Sequence, residues 1–255
     1  MNRPENPLGF IARTELEKAA FSNGYRLDLG TEHGWLHRAS TTARGDLWLG
    51  AASEKGPWLL SVARPEVAAE LDAPRSLGLS GPGAVSFAFP SLNELYSSLD
   101  RVYHLCISLP TAPLEAFENA TSALPKSTEA EQLIVRRVGQ DLFRQALMNY
   151  WKGRCPLTGI ADPALLRASH IVAWADCDSD AQRLDVHNGL LLSALWDAAF
   201  DAGLVSFADD GSVLHSPHLS AAAAAELRLD AITPLIPLTD EHRKNLVRHR
   251  ARHRF

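Results

Sequence analysis

Cys155-Pro-Leu-Thr-Gly159, Leu165-Leu-Arg-Ala-Ser-His170-Ile-Val-Ala-Trp174, Arg183-Leu-Asp-Val-His-Asn188-Gly-Leu-Leu-Leu-Ser193 and Ala194-Leu-Trp-Asp-Ala-Ala-Phe200-Asp-Ala-Gly-Leu204 follow one another along residues 155–204. An extended apolar stretch ends in His170, and a polar loop rich in acids runs from Asp176 to Asp185. Asn188-Gly189 is a turn signal that launches a second apolar strand. A short helix follows, with Asp197 and Asp201 four residues apart and therefore on one face. Taken singly, each residue has an ordinary role: His170 as a hydrogen-bonded core histidine, Asn188 in a turn, Asp197 and Asp201 on a solvated helix that ends at Gly203. Gathered on one strand–loop–helix scaffold, they acquire a chemistry. Oxygen and amide donors suit Mg²⁺ or Mn²⁺ better than Zn²⁺. A histidine beside such a metal can deprotonate a water for attack on a phosphate.

The same residues resemble the HNH endonuclease family, in the subgroup that reads C-x-x-T-G, A-x-H-I-x-x-W, R-x-x-x-x-N-G-L-x-L and F-D-x-G-L. Here these are Cys155/Thr158/Gly159, Ala168/His170/Ile171/Trp174, Arg183/Asn188/Gly189/Leu190/Leu192 and Phe200/Asp201/Gly203/Leu204. The preceding Val138-Gly139-Gln140-Asp141-Leu142-Phe143-Arg144 is similar to the R-x-G-Q-x-x-F-R that leads into this subgroup. The resemblance covers about residues 127–207 and implies a ββα-metal fold that hydrolyses phosphodiester bonds, DNA being the expected substrate. It implies that His170 is the general base and that Asn188 binds the metal or fixes the loop presenting His170. Two positions depart from the pattern. Ser169 stands where many members carry a metal-binding aspartate, and the third histidine is replaced by Trp196 and Asp197. Trp196 has no lone pair to offer, so Asp197 is expected to take the ligand role, with Asp201 beside it. The implied cofactor is one divalent ion, Mg²⁺ or Mn²⁺. A restriction or defence enzyme is the expected setting, and the alternative is an HNH-fold module that binds DNA or senses it with weakened catalysis.

Upstream, Thr128 to Trp151 reads as one long helix, with Ser127 or Thr128 as cap and Glu129 and Glu131 in the first turn. Its apolar stripe runs through Leu133/Ile134, Val138, Leu142/Phe143, Ala146/Leu147 and Tyr150/Trp151. Residues 109–127 are rich in Pro, Ala, Ser and Thr and read as a linker, with a short helix near Leu114–Asn119. The first 108 residues read as a small mixed α/β domain that selects the substrate. Helix Thr14–Asn23 is followed by strands at Tyr25–Leu29, Trp35–Arg38, Asp46–Gly50 and Trp58–Val62, then a helix from Arg64 to Leu71. A loop at 78–83 leads to strand Ala84–Phe89, helix Leu92–Leu99 and a last strand Val102–Ile107. Trp35, Trp48 and Trp58 fall in strands, where tryptophan mostly fills a core and otherwise offers a platform for a base. The whole is an α+β chain: 1–108, linker 109–127, and a nuclease domain over 128–255.

Charge sharpens the division. Residues 1–125 hold 10 Lys/Arg against 14 Asp/Glu, and residues 126–255 hold 15 against 16, for a net charge of −5. From His242 to Phe255 there is no acid, and Arg243, Lys244, Arg248, Arg250 and Arg252 form a basic tail suited to phosphates; Arg183 is a further candidate contact. Cys106, Cys155 and Cys177 are three and widely spaced, which argues against a disulfide framework and against structural zinc. No run approaches the length of a membrane span, and Met1-Asn2-Arg3-Pro4-Glu5-Asn6-Pro7 lacks the apolar core of a secretory signal. A cytoplasmic protein is expected, with no membrane partner; the sequence leaves a homodimer open.

Overall fold

A computed structural model of the protein describes residues 3–71, 73, 78–125 and 127–255; Met1 and Asn2, and Lys126 of the expected linker, lie outside the described residues. The chain is α+β and divides into two compact units, Met1–Ile107 and Ser108–Phe255.

The first unit contains α1 (Phe10–Ser22), β1 (Leu27–Glu32), β2 (Trp35–Ala39), β3 (Leu47–Ala51), β4 (Trp58–Val62), α2 (Pro65–Ala69), β5 (Val85–Phe89) and α3 (Leu92–Ser108). The five strands form one antiparallel sheet in sequence order. β1 turns into β2 through His33-Gly34, whose φ values of 50° and 82° are both positive. A two-residue turn of this kind matches the twist of a hairpin. Side chains alternate between the two faces of a strand, and Leu36, Leu47 and Leu49 are fully buried on one of them. Arg38 shares that face and reaches Glu17 of α1 at 3.2 Å, so α1 covers it. Trp35 and Trp58 are buried, while Trp48 is half-buried on the opposite face.

The expected strand at Val102–Ile107 is instead the second half of α3. Leu95, Leu99, Val102, Leu105 and Cys106 are all buried, which is a helical period carried through without a break. The β-branched residues of the short window pointed toward a strand, and packing decided otherwise.

The second unit contains α4 (Thr111–Thr121), α5 (Glu129–Tyr150), β6 (Leu166–His170), α6 (Asp180–Leu184), β7 (Gly189–Ser193), α7 (Ala194–Asp201), β8 (Val205–Phe207), β9 (Val213–His215), α8 (Ala221–Glu226) and α9 (Asp240–His253). α5 opens on a capping box: Thr128 accepts from the Glu131 amide, and the Glu131 carboxylate accepts from the Thr128 amide at 2.9 Å. Its C-terminal half buries Phe143, Ala146, Leu147 and Tyr150, whereas Leu133 and Ile134, expected on the same stripe, are exposed. The segment expected as a linker carries α4, which packs on α5 and buries Phe117 and Thr121. Gly139 makes room for this: a Cβ there would lie 3.3 Å from the Phe117 ring and 2.6 Å from Trp174. The residues at 242–255, expected as a basic tail, form a docked helix, α9, that buries His242, Leu246 and His249.

Candidate active site

β6 and β7 pair antiparallel, with His170 opposite Gly189 and Ser169 opposite Leu190. α7 follows β7 directly and packs back on β6, completing a ββα unit. The strand alternation sends His170 and Ser169 to opposite faces. Ser169 turns toward α7 and its carboxylates. His170 turns toward α5, where Phe143 stacks on its ring at 3.8 Å between centroids. This stack requires Gly189, because a Cβ there would collide with Phe143 and come within 2.8 Å of Leu147.

The His170 ring is held at one nitrogen. Nε2 donates to the Arg183 carbonyl at 2.9 Å, and a carbonyl can only accept, so the proton sits on Nε2 and Nδ1 keeps its lone pair. Burial among Phe143 and Trp174 lowers the pKa to about 4, with the Arg183 carbonyl opposing the shift. The imidazole is therefore neutral at neutral pH, the state a general base requires.

Asn188 works on the loop that carries this carbonyl. It is fully buried. Its Oδ1 accepts from the Val172 amide at 2.8 Å, and its Nδ2 lies within reach of the Val172 and Gln182 carbonyls (3.2 Å each) and of Cys177 Sγ (3.3 Å). These bonds tie both ends of the segment between β6 and α6. They hold the amide against the loop that presents His170. Arg183 is also committed to this loop. Its guanidinium donates to the Trp174 and Cys177 carbonyls at 3.2 and 2.8 Å and to Asp180 at 2.9 Å, which holds it against the loop.

Asp197 is half-buried, and the neighbouring Trp196 is buried and stacked on Phe207, so the helix turns the carboxylate toward β6. Burial raises the Asp197 pKa, while Ser169 and Arg167 pull it down. Burial also raises Asp201, the Asp197 charge adds to the rise, and Ser169 again opposes it. The Ser169 hydroxyl is buried and makes no hydrogen bond of good geometry. Two carboxylates that burial disfavours as anions, Asp201 further so through the Asp197 charge, beside a buried hydroxyl with an unused lone pair, form an oxygen donor set that fits a hard divalent cation. No group of three or more His, Cys, Asp or Glu residues disposed to hold a metal occurs among the described residues, so water and substrate oxygens would complete the shell. Ser169 is a member that the sequence pattern registered only as a departure.

His170 and Asp201 line one cavity of about 320 Å³ with Trp174 and with three residues of α9, His249, Arg252 and His253. The α9 residues were legible only as basic charge. Arg252 forms an ion pair with Asp176, and Arg248 lies 3.3 Å from the Asp176 carbonyl. Arg250 donates to the Phe207 carbonyl at 2.7 Å and to Asp209 at 2.8 Å. Arg243 reaches the Asp209 carbonyl at 2.9 Å, and Lys244 pairs with Glu241 at 2.5 Å. His249 stacks on Phe200 at 3.9 Å and bridges Ser206 and the Phe200 carbonyl. His253 packs over Gly203, where any Cβ would collide with its ring. Gly203 has φ +65 and closes α7, which explains its place in the Phe-Asp-x-Gly-Leu pattern.

Residues 155–208 match the family model described as HNH endonuclease. The five-stranded sheet, α5 and α9 lie outside the matched residues. No curated protein matches the chain. Among the described residues, no helix is long and apolar enough to cross a membrane.

Proposed function

We propose that the protein is a metal-dependent endonuclease that hydrolyses phosphodiester bonds in DNA, a reading supported by the match of residues 155–208 to the HNH endonuclease model. The observation that carries this reading is the His170 imidazole, neutral, fixed at Nε2 and sharing one cavity with Asp201. His170 Nδ1 takes the proton of a water aimed at the scissile phosphorus. The Arg183 carbonyl and the Phe143 ring hold the imidazole in that attitude, and Asn188 and the Arg183 guanidinium fix the loop that holds the carbonyl. Asp197, Asp201 and Ser169 are the residues that would hold Mg²⁺ or Mn²⁺. A divalent ion held there would supply charge neutralisation to the phosphate as the 3′ oxygen leaves. The products carry 5′-phosphate and 3′-hydroxyl ends. Residues 1–107 select which DNA is cut, as in a restriction or defence enzyme.

Plasmid DNA incubated with Mg²⁺ or Mn²⁺ tests the assignment. His170→Ala is expected to fold normally and to cut about 10²–10⁴-fold more slowly; a rate within threefold of wild type removes His170 from the chemistry. In the absence of DNA, either ion should raise the wild-type melting temperature by several degrees, as expected when a ligand binds only the folded state. Asp197→Ala should lose most of that shift. The alternative reading, an HNH-fold module that binds DNA without cutting it, draws on Trp196 at the position of the third histidine and on the pair, rather than triad, of acids. It predicts DNA binding with no metal-dependent product.

A further inference from the structure

The face of the five-stranded sheet turned away from α1 carries an aromatic stack inside a cavity. His37 of β2 and Trp48 of β3 are cross-strand partners, with ring centroids 4.7 Å apart and planes at 19°. His37 Nε2 lies 2.8 Å from the carboxylate of Asp46, just ahead of β3, so the imidazole is fixed against the indole. The cavity measures about 490 Å³ and is walled by Leu29, Glu32, Trp35, His37, Trp48 and Pro82. The Pro82 wall is strapped to the sheet: Gly81 and Gly83 donate to Ser86 and Ser61 at 3.1 and 2.9 Å, and the two serines bond to each other at 3.0 Å. These contacts leave a preformed concavity on a rigid scaffold, in the size range of small-ligand sites.

The chemistry of the lining narrows the occupant. A fixed, half-exposed ring stack offers a flat π surface, which favours a planar heterocycle. Among the described residues no Lys or Arg lines the cavity, its two histidines each lie against a carboxylate, His33 at 3.5 Å from Glu32 and His37 at 2.8 Å from Asp46, and the first 125 residues are net acidic, so the lining favours a neutral ring over a phosphate. Glu32 is an exposed carboxylate on the rim and can only accept hydrogen bonds. A neutral, flat, N–H-bearing ring meets all three conditions.

We propose that this cavity receives one unpaired nucleobase of the substrate, stacked beside the Trp48–His37 pair with its exocyclic amine turned to Glu32. The proposal deepens the endonuclease reading and rests on it for the identity of the ligand. A base inside a duplex cannot reach such a pocket, so the base is extruded or already single-stranded. Adenine, cytosine and guanine carry the exocyclic amine that Glu32 would accept from, and thymine does not.

The full chain carrying His170→Ala provides a background in which DNA stays intact, and binding is read by fluorescence anisotropy of labelled duplexes without added metal. The duplexes are fully paired or carry one bulged adenine, cytosine or thymine. The bulged adenine and cytosine duplexes are expected to bind about tenfold more tightly than the paired duplex, the scale of one stacked base. Adding Trp48→Ala should abolish that preference, Trp48→Phe should restore most of it, and Glu32→Gln, an exposed and structurally mild change, should narrow the gap between adenine and thymine. Equal affinity for all duplexes overturns the proposal, as does a preference that persists in both Trp48→Ala and Glu32→Gln. A wild-type protein that cuts no DNA while the Trp48-dependent preference holds overturns the endonuclease reading alone. One that cuts DNA with no such preference overturns this proposal alone.

Discussion

At the scale of the residue, the second unit keeps two histidines neutral by burial, and this has a cost in acid. His249 is buried against Phe200 and the Arg250–Arg252 turn, and desolvation first, then His253 and the arginines, lower its pKa to about 4. An unfolded histidine titrates near 6.5. Between the two values only the unfolded chain takes up the proton, so stability is complete above about pH 6.5 and falls as pH drops toward 4, levelling below. The gap corresponds to about 3 kcal/mol. His170 acts in the same direction. Thermal melts from pH 7.5 to 4.5 should show this decline, and His249→Phe, which keeps a ring against Phe200, should flatten it. A His249→Phe slope equal to wild type would falsify the assignment of His249 as a buried neutral group. The sequence offered His249 only as one of several basic residues; its partners Ser206 and Phe200 lie more than forty positions away, and no local spacing announces them.

At the scale of the element, α9 explains what composition could not. Its cations looked like a phosphate-binding run, and the structure divides them. Arg250 is mostly buried, with its donors taken by Phe207 and Asp209, whereas Arg248 and Arg252 are about half-exposed beside Asp178 and Asp176. Surface ion pairs of this kind are weak, so phosphates can displace them. Arg250→Ser is therefore expected to lower the melting temperature with little change in the salt dependence of DNA binding. Arg248→Ser with Arg252→Ser should do the reverse, reducing the slope of log K against log salt by up to about two. Equal effects from the two variants would return α9 to a purely structural role. The ββα unit itself was legible because each motif residue has a local job: Gly189 admits Phe143 to His170, Gly203 admits His253, and Trp196 buries so that Asp197 faces β6. The strand expected at 102–107 failed for the opposite reason. Its β-branched residues spoke locally, and the period of buried positions from Leu95 onward was set by packing within the unit, where Cys106 meets Tyr25 and Arg64. The linker reading of 109–127 followed composition, and α4 forms there because Gly139 lets Phe117 dock, a contact between residues 22 positions apart.

At the scale of the whole molecule, the two units have separate cores, and the residues of the candidate active site lie within the second. A fragment spanning 108–255 keeps α4 on α5 and is expected to unfold cooperatively and to retain metal-dependent nicking. If the sheet chooses the substrate, the fragment should cut indiscriminately. A fragment that melts cooperatively and binds Mn²⁺ yet makes no cut would show that the first unit takes part in the chemistry. Starting the fragment at Ser127 removes α4 and exposes the Gly139 face, so that version should be less stable.

The clasp made by Asn188 also governs how the molecule ages. An asparagine followed by glycine is the pair most open to deamidation, because the next backbone nitrogen can reach the side-chain carbonyl unhindered, and asparagine is among the thermolabile residues. Here the amide is enclosed and held by the strand–helix loop, so the reaction waits for that loop to open. Stored protein should accumulate aspartate at 188 at a rate that follows unfolding rather than time alone, and each converted molecule loses the donor that joined Val172 to Gln182. Peptide mapping after incubation near and far below the melting temperature would show whether the lesion keeps pace with opening.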